Sequence, residues 1–217
     1  MNTYVPISHE RTQEILKHLV QVATLQPIRD PRLNKLAQQS FQYHSDCLGV
    51  GLVFMKGFVA IHSGDLGAEP GLRDWTKERG VESRANRMVA NVIALGLGAA
   101  LDDVLPKLVT YGKKHSPTFL ARYQLLGEKD LEAAIRPSVK RNLDWPRGLL
   151  KAFSVKWDDL IGEALQDLAR ARNCAAHELP QESPEYWRVR LQVWEESATW
   201  LIQSLALRLD DLVARGR

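Results

Sequence analysis

The stretch of sequence that decides the fold is residues 183–212, which read SPEYWRVRLQVWEESATWLIQSLALRLDDL. Ser183 is a good helix N-cap, Pro184 suits the first helical turn, and Glu185 lies near the positive end of the helix dipole. Apolar residues then recur, largely in sevens, at Trp187, Leu191, Trp194, Ala198, Leu201, Leu205 and Leu212. This pattern predicts one long amphipathic helix whose apolar face packs on another helix.

The segment before this helix predicts its packing partner. Residues 155–177 carry apolar side chains at helical spacing, at Trp157, Leu160, Ile161, Ala164, Leu165 and Leu168. Residues 179–182 predict a turn between the two helices. We therefore expect an antiparallel helix pair, which packs either within the chain alone or also against a partner subunit.

The rest of the chain is predicted to be helical almost throughout. Ser8 is a candidate N-cap for a first helix, and Asp30-Pro31 predicts the start of a second. Further helices are predicted over residues 82–105, 117–126, 128–135 and from Trp145-Pro146 to about Phe153. Residues 49–62 fit a helix or a strand, and residues 63–71 predict a loop. We expect an all-α helical bundle that forms a single domain over residues 1–217.

Composition narrows the class of protein. With 217 residues, 45% hydrophobic and 25% charged, the chain can bury a sizeable core. The net charge of +3 does not indicate a strongly basic nucleic-acid binder, although a local basic patch would suffice for one. Cys47 and Cys174 are too few for a disulfide framework or a metal site, and predict reduced thiols in a cytoplasmic protein. We expect neither a signal peptide nor a membrane span, because the apolar run 89–101 is short and the run 49–61 contains Lys56.

Most of the functional information lies in Arg172-Asn173-Cys174-Ala175-Ala176-His177, at the end of the penultimate predicted helix. Asn173 and His177 are four residues apart and share a helix face, whereas Arg172 lies about 140° around the helix from His177. The arginine therefore reaches the histidine only if its long side chain swings or the helix frays toward Pro180.

These residue types suit RNA cleavage without a metal. Cleavage moves a proton from the 2′-hydroxyl and delivers one to the departing 5′-oxygen, and histidine titrates near neutral pH. The guanidinium of Arg172 keeps its charge and can stabilise the negative charge that develops around phosphorus. Asn173 can orient His177 or a phosphate oxygen through its amide. A cation near a helix C-terminus is also common for electrostatic reasons alone, so a structural role stays open.

Residues 168–178, LARARNCAAHE, resemble the signature of the HEPN superfamily (higher eukaryotes and prokaryotes nucleotide-binding domain). That signature is an arginine, a polar residue, a short spacer and a histidine at the end of a bundle helix. The resemblance is specific over residues 155–215 and loose over residues 117–153. It implies a HEPN-like core at 117–217 and an N-terminal helical portion, 1–116, of unknown role.

The resemblance also implies an activity and partners. It implies a metal-independent endoribonuclease without cofactors, acting in a toxin–antitoxin or phage-defence system and leaving a 2′,3′-cyclic phosphate. Arg172 and His177 would be catalytic and Asn173 supporting, in a homodimer where two copies of the motif meet in a composite cleft. An antitoxin or defence protein would be a further partner. The sequence identifies no acidic residue on a second helix to accompany the motif.

The alternatives come from other classes of function. Some HEPN proteins are inactive, so the chain could be an interaction or dimerisation module, paired through its C-terminal heptad face, or a nucleotide sensor. A basic set could follow an RNA backbone or could simply be solvated; it comprises Arg136, Lys140, Arg141, Arg147 and Lys151. The run His44-Ser45-Asp46-Cys47 has no further partners at the spacing of a metal or thiol site, and we interpret it as incidental.

Overall fold

The computed structural model describes residues 5–22, 26–63, 81–125, 145–174, 179 and 182–215. Regular secondary structure in these ranges is helical, which confirms the predicted all-α fold. The helices are α1 (His9–Val22), α2 (Pro31–Ser63), α3 (Val81–His115), α4 (Pro117–Leu125), α5 (Arg147–Phe153), α6 (Asp159–Cys174) and α7 (Pro184–Arg215). The predicted helix over 128–135 and nearly all of the predicted loop over 63–71 lie outside the described residues.

Three predicted N-caps are confirmed. The Ser8 hydroxyl accepts the backbone N–H of residue 11 at 3.2 Å. The Asp30 carboxylate accepts the N–H groups of residues 32 and 33 at 2.9 and 3.2 Å. Ser183 accepts the N–H of Tyr186 at 3.2 Å. Each cap satisfies backbone donors that the first helical turn leaves without a partner, so these short side chains fix where α1, α2 and α7 begin.

Two predicted helices have different bounds in the structure. The helix expected to end at residue 105 continues through Pro106 to His115. Proline removes one helical hydrogen bond, but Leu108 and Val109 beyond it are buried in the core, which offsets that cost. The helix expected from residue 155 begins instead at Asp159, because the Asp158 carboxylate accepts two backbone N–H groups of the first turn at 3.1 Å each.

The ambiguous run 49–62 is helical and belongs to α2. Within it, Gly51 lies so close to α3 that an added Cβ would sit 2.1 Å from Cδ1 of Ile93. Cys47 similarly approaches Gly96, at 3.2 Å from the position of a Cβ there. The pairs 47–96 and 51–93 run in opposite directions, so α2 and α3 form a closely packed antiparallel hairpin.

Helix α7 is the centre of the bundle, because α1, α2, α3 and α6 all pack on it. Its heptad residues are 0–4% exposed: Trp187, Leu191, Trp194, Ala198, Leu201, Leu205 and Leu212. The apolar face therefore packs within the chain, and a partner subunit would have to use another surface. Arg208 near the end of α7 donates to the carbonyl of Phe153, which precedes α6, so α6 and α7 run antiparallel.

A buried ion pair joins α6 to α7. Asp167 and Arg190 are both 0% exposed, and Nε and Nη2 of the arginine donate to the two carboxylate oxygens at 2.9 and 2.5 Å. Trp194 donates its indole N–H to the same carboxylate at 2.8 Å. Arg190 also donates to the Tyr186 hydroxyl, which donates to the carbonyl of Ile7 at 2.6 Å. Burial raises the pKa of Tyr186 to about 12, so its hydroxyl keeps the proton that it donates.

Helices from both halves of the chain share one hydrophobic core. Ile15 and Leu33 from the N-terminal portion belong to the same buried cluster as Leu165 and Leu201. Residue 116 therefore does not separate two cores among the described residues. Within those residues, the stretch Arg87–His115 is the one long and apolar enough to cross a membrane by length and composition. The core helix of a soluble protein meets the same criterion.

Replacing Asp167 with alanine tests the buried pair. Because Arg190 would then be an unpaired buried charge, we expect the free energy of unfolding to fall by about 3–5 kcal/mol. Urea denaturation followed by circular dichroism gives the value. Asp211→Ala is the control, since that carboxylate is half exposed and pairs with Arg29, and should cost below about 1 kcal/mol. A loss under about 1 kcal/mol for Asp167→Ala would show that the pair does not hold α6 on α7.

Candidate functional site

Arg172 crosses from the last turn of α6 to the face of α3. Its Nη2 donates to the carboxylate of Asp102, and the two side chains are 17% and 24% exposed. A Cβ on Gly98 would lie 2.0 Å from Cδ of Arg172, so the arginine occupies the space that the glycine leaves. Gly98 and Asp102 are four residues apart on one face of α3. Gly98 leaves room for the arginine side chain and Asp102 accepts its hydrogen bond, so together they fix the position of the guanidinium.

The sequence prediction missed Asp102, which lies 70 residues before its partner. The signal available was a carboxylate inside a predicted core helix, since acidic residues are seldom buried on such helices without a partner. A glycine one turn earlier indicates close approach of another chain segment. Neither feature says which cation the carboxylate meets, because that depends on how α6 packs on α3.

The remaining motif residues are described only in part. Asn173 is half-buried, in the last turn of α6 beside Arg172. His177 lies outside the described residues, and so do Ala175 and Ala176. The convergence of Arg172 with His177 therefore stays a prediction, and the arginine side of the site is what the structure defines.

The charges around Arg172 do not by themselves favour the binding of a phosphate. The C-terminal end of a helix carries partial negative charge, which repels anions, and Asp102 neutralises part of the arginine's charge. A guanidinium has five N–H donors, and the hydrogen bond from Nη2 to Asp102 uses one of them. The remaining donors can bind a phosphate oxygen while Asp102 keeps the group oriented.

The predicted RNA-binding set is not gathered around Arg172. Arg136, Lys140 and Arg141 lie outside the described residues. The Arg147 guanidinium lies 5.2 Å from the centre of the Trp157 ring, just before α6 begins, and Lys151 is exposed on the adjoining α5. Arg172 is at the other end of α6, about 20 Å away along the helix at 1.5 Å per residue. Arg147 and Lys151 therefore cannot contact the same phosphate as Arg172.

The run His44-Ser45-Asp46-Cys47 does not form a thiol site. His44 is fully buried, and burial lowers its pKa to about 4. Its ring nitrogens lie 3.4 Å from the Ser40 hydroxyl and 3.5 Å from the Thr199 hydroxyl. Burial raises the pKa of the Cys47 thiol. The imidazole and the thiol are therefore both uncharged at neutral pH, whereas a catalytic pair needs a thiolate.

Neither a metal site within the described residues nor a related protein assigns a function to the chain. Within the described ranges, no three His, Cys, Asp or Glu side chains lie together in a way that could hold a metal ion. Comparisons with protein-family models, with curated proteins and with solved structures give no match. The motif and the geometry around Arg172 are therefore the features that point to a function.

A double-mutant cycle tests the Arg172–Asp102 pair. We expect Arg172→Ala and Asp102→Ala to show a coupling of about 1–2 kcal/mol in urea denaturation, because the pair is mostly buried. In a Gly98→Ala background the new methyl group displaces the arginine, so the coupling should fall toward zero. Alanine favours helix more than glycine, so stability itself should not decrease much. Coupling that is the same in both backgrounds would show that Gly98 does not position Arg172.

Stability should decrease in mild acid because of His44. The unfolded chain binds a proton there below about pH 6.5, whereas the folded chain does so only near pH 4. The free energy of unfolding should therefore fall as the pH drops from 6.5 to 4, by at most about 3 kcal/mol from this group. Urea denaturation at several pH values measures the slope. His44→Gln, which cannot titrate, should lack that part of the slope, and equal slopes would contradict the assignment.

Proposed function

We propose that this protein is a metal-independent endoribonuclease of the HEPN type. The single observation that carries the proposal is the fixed position of Arg172, the first residue of the motif, between Gly98 and Asp102. A catalytic cation is useful only if it is held where charge develops, because reorientation during the reaction would cost the energy it supplies. Asp102 is then a positioning residue for the arginine.

In this mechanism His177 moves the proton and Arg172 stabilises the charge. The imidazole of His177 takes the proton of the 2′-hydroxyl, and the 2′-oxygen attacks phosphorus. The guanidinium of Arg172 hydrogen-bonds the oxygens that become more negative in the phosphorane. The bond to the 5′-oxygen then breaks, and the imidazolium returns its proton to that oxygen. The products are a 2′,3′-cyclic phosphate and a 5′-hydroxyl, and no metal takes part in any step.

Asn173 and the biological setting complete the proposal. The Asn173 amide is proposed to orient His177 or a phosphate oxygen. The resemblance to HEPN proteins supports a cytoplasmic role in a toxin–antitoxin or phage-defence system, with an antitoxin or defence protein as partner. A second copy of the chain is expected to complete the cleft, since one guanidinium shared with Asp102 gives a phosphate little net positive charge.

The second candidate is an inactive interaction or nucleotide-sensing module. The observation that favours it is the same ion pair, because an arginine paired with Asp102 and 17% exposed can act simply as a brace between α3 and α6. Such a module would bind a partner protein or a nucleotide and would not catalyse a reaction.

Incubating the purified protein with mixed RNA in EDTA separates the two candidates. We expect fragments from the wild type. His177→Ala and Arg172→Ala should each lower the rate by about 10²–10⁴, as is typical when an acid–base or charge-stabilising group is removed. Arg170→Ala is the matched control, because that arginine lies on the same helix with its side chain 54% exposed, and should cut at the wild-type rate. A His177→Ala protein that cuts as fast as wild type would rule out the mechanism.

A further inference from the structure

The outer face of the α2–α3 hairpin is apolar and open over its described side chains. A groove of about 830 Å³ runs between the two helices on this face. Four of its lining side chains are 57–67% exposed: Val50, Phe54, Met88 and Val92. Val53 and Leu95, on the same two helices, are 70% and 46% exposed. Exposed apolar residues are ordinary when scattered, but these are contiguous on two neighbouring helices, which is typical of a surface that another molecule covers.

The size of this face matches a protein interface. Together these six side chains and the half-exposed Tyr43 present an area of the order of the roughly 800 Å² that each partner contributes to a standard protein–protein interface. The largest apolar patch of a typical monomer is about 300–600 Å². The face is therefore larger than the apolar patch expected of a protein that stays monomeric.

Among the described side chains the groove has two charged residues, and they lie at opposite ends of it. Asp46 on α2 is next to Cys47, which contacts Gly96, so it is level with about residue 97 of α3. Arg84 is thirteen residues earlier on α3, about 20 Å along the helix. One acid and one base at opposite ends are complementary to a copy of the same surface turned end for end, since each acid then meets the other copy's base.

We infer that a second copy of this chain packs on the α2–α3 face about a two-fold axis, with Asp46 of each copy beside Arg84 of the other. A membrane surface is the other occupant that an apolar face could fit. Membrane-binding faces are usually bordered by lysine and arginine, which attract anionic lipids. Among the described side chains the groove instead carries one charge of each sign, which favours the second copy.

This interface also deepens the proposed function, on which the following consequence rests. Met88, Leu95 and Asp102 are spaced by seven residues and share one face of α3, so the apolar face leads toward the Arg172–Asp102 pair. The second copy, whose Arg84 pairs with Asp46 at the level of Gly98, would then lie along the edge of the proposed site. It adds little net positive charge there, because Asp46 neutralises that arginine as Asp102 neutralises Arg172.

The same geometry changes one expectation about the dimer. The axis passes near residue 90 of α3, so the two Arg172 residues would lie about 30 Å apart along the hairpin at 1.5 Å per residue. The two motifs would not meet in one cleft, as the family resemblance implies. Each site would instead be built on Arg172 of one copy, with the other copy along its edge.

Analytical ultracentrifugation of the full chain without RNA tests the interface. We expect the wild type to sediment as a dimer at micromolar concentration. Val92→Glu should raise the dissociation constant at least tenfold, because it buries an unpaired charge. Val20→Glu on α1 is the matched control, since Val20 is 68% exposed and Val92 67%, and it should remain dimeric. A monomeric wild type at 100 µM (about the highest practical concentration), or a dimeric Val92→Glu, would overturn the inference.

A charge exchange tests the two-fold pairing itself. Asp46→Arg and Arg84→Asp should each weaken association about tenfold, because both 46–84 pairs of the dimer then bring like charges together. An equimolar mixture of the two variants should restore a dimer, since the introduced arginine of one variant then meets the introduced aspartate of the other. A mixture that associates no better than either variant alone would contradict the arrangement. Flotation of a monomeric wild type with anionic vesicles would assign the face to a membrane.

RNA cleavage, measured separately, distinguishes this inference from the proposed function. Cleavage in EDTA by a protein that stays monomeric would overturn the interface and leave the ribonuclease proposal standing. A dimer that dissociates with Val92→Glu but cuts no RNA would support the interface and count against the ribonuclease.

Discussion

The buried pair of Asp167 and Arg190 is the constraint on which the rest of the structure depends. Two ionised groups with no exposure to water are tolerated only when they meet in good geometry, so α6 has one acceptable rotation against α7. Arg172 follows Asp167 by five residues, about 140° around the helix. When Asp167 faces α7, Arg172 must therefore face another helix, and the bundle puts α3 there. The core ion pair thus directs the motif arginine toward Gly98 and Asp102.

Local features of the fold could be predicted from the sequence, and long-range ones could not. Ser8, Asp30 and Ser183 marked helix starts correctly because capping depends on the next three residues alone. The apolar repeat of α7 was equally visible. By contrast, the run 49–62 stayed ambiguous because only its packing on α3 decides it. The contact of Arg172 with Asp102 joins residues 70 apart, and no local pattern specifies such a pairing.

The candidate site lies beside the exposed face of the hairpin. Arg172 is well positioned but shares its charge with Asp102, at a helix end that repels anions. A phosphodiester would need further positive charge there, and Arg147 and Lys151 are too far along α6 to provide it. The α2–α3 face ends beside this site and carries Arg84 at its far end. Self-association through this face would place a second copy along the edge of the site.

We propose above all that RNA is cut by attack of its own 2′-hydroxyl, with Arg172 holding the phosphate and no metal taking part. Mass spectrometry of the fragment ends from a defined RNA, cut in EDTA, tests it most directly. The account predicts 2′,3′-cyclic phosphate and 5′-hydroxyl ends, and no cleavage of the same RNA when the 2′-hydroxyl at the cut position is replaced by 2′-O-methyl. Fragments with 3′-hydroxyl and 5′-phosphate ends would show that water attacks phosphorus instead, and would contradict it.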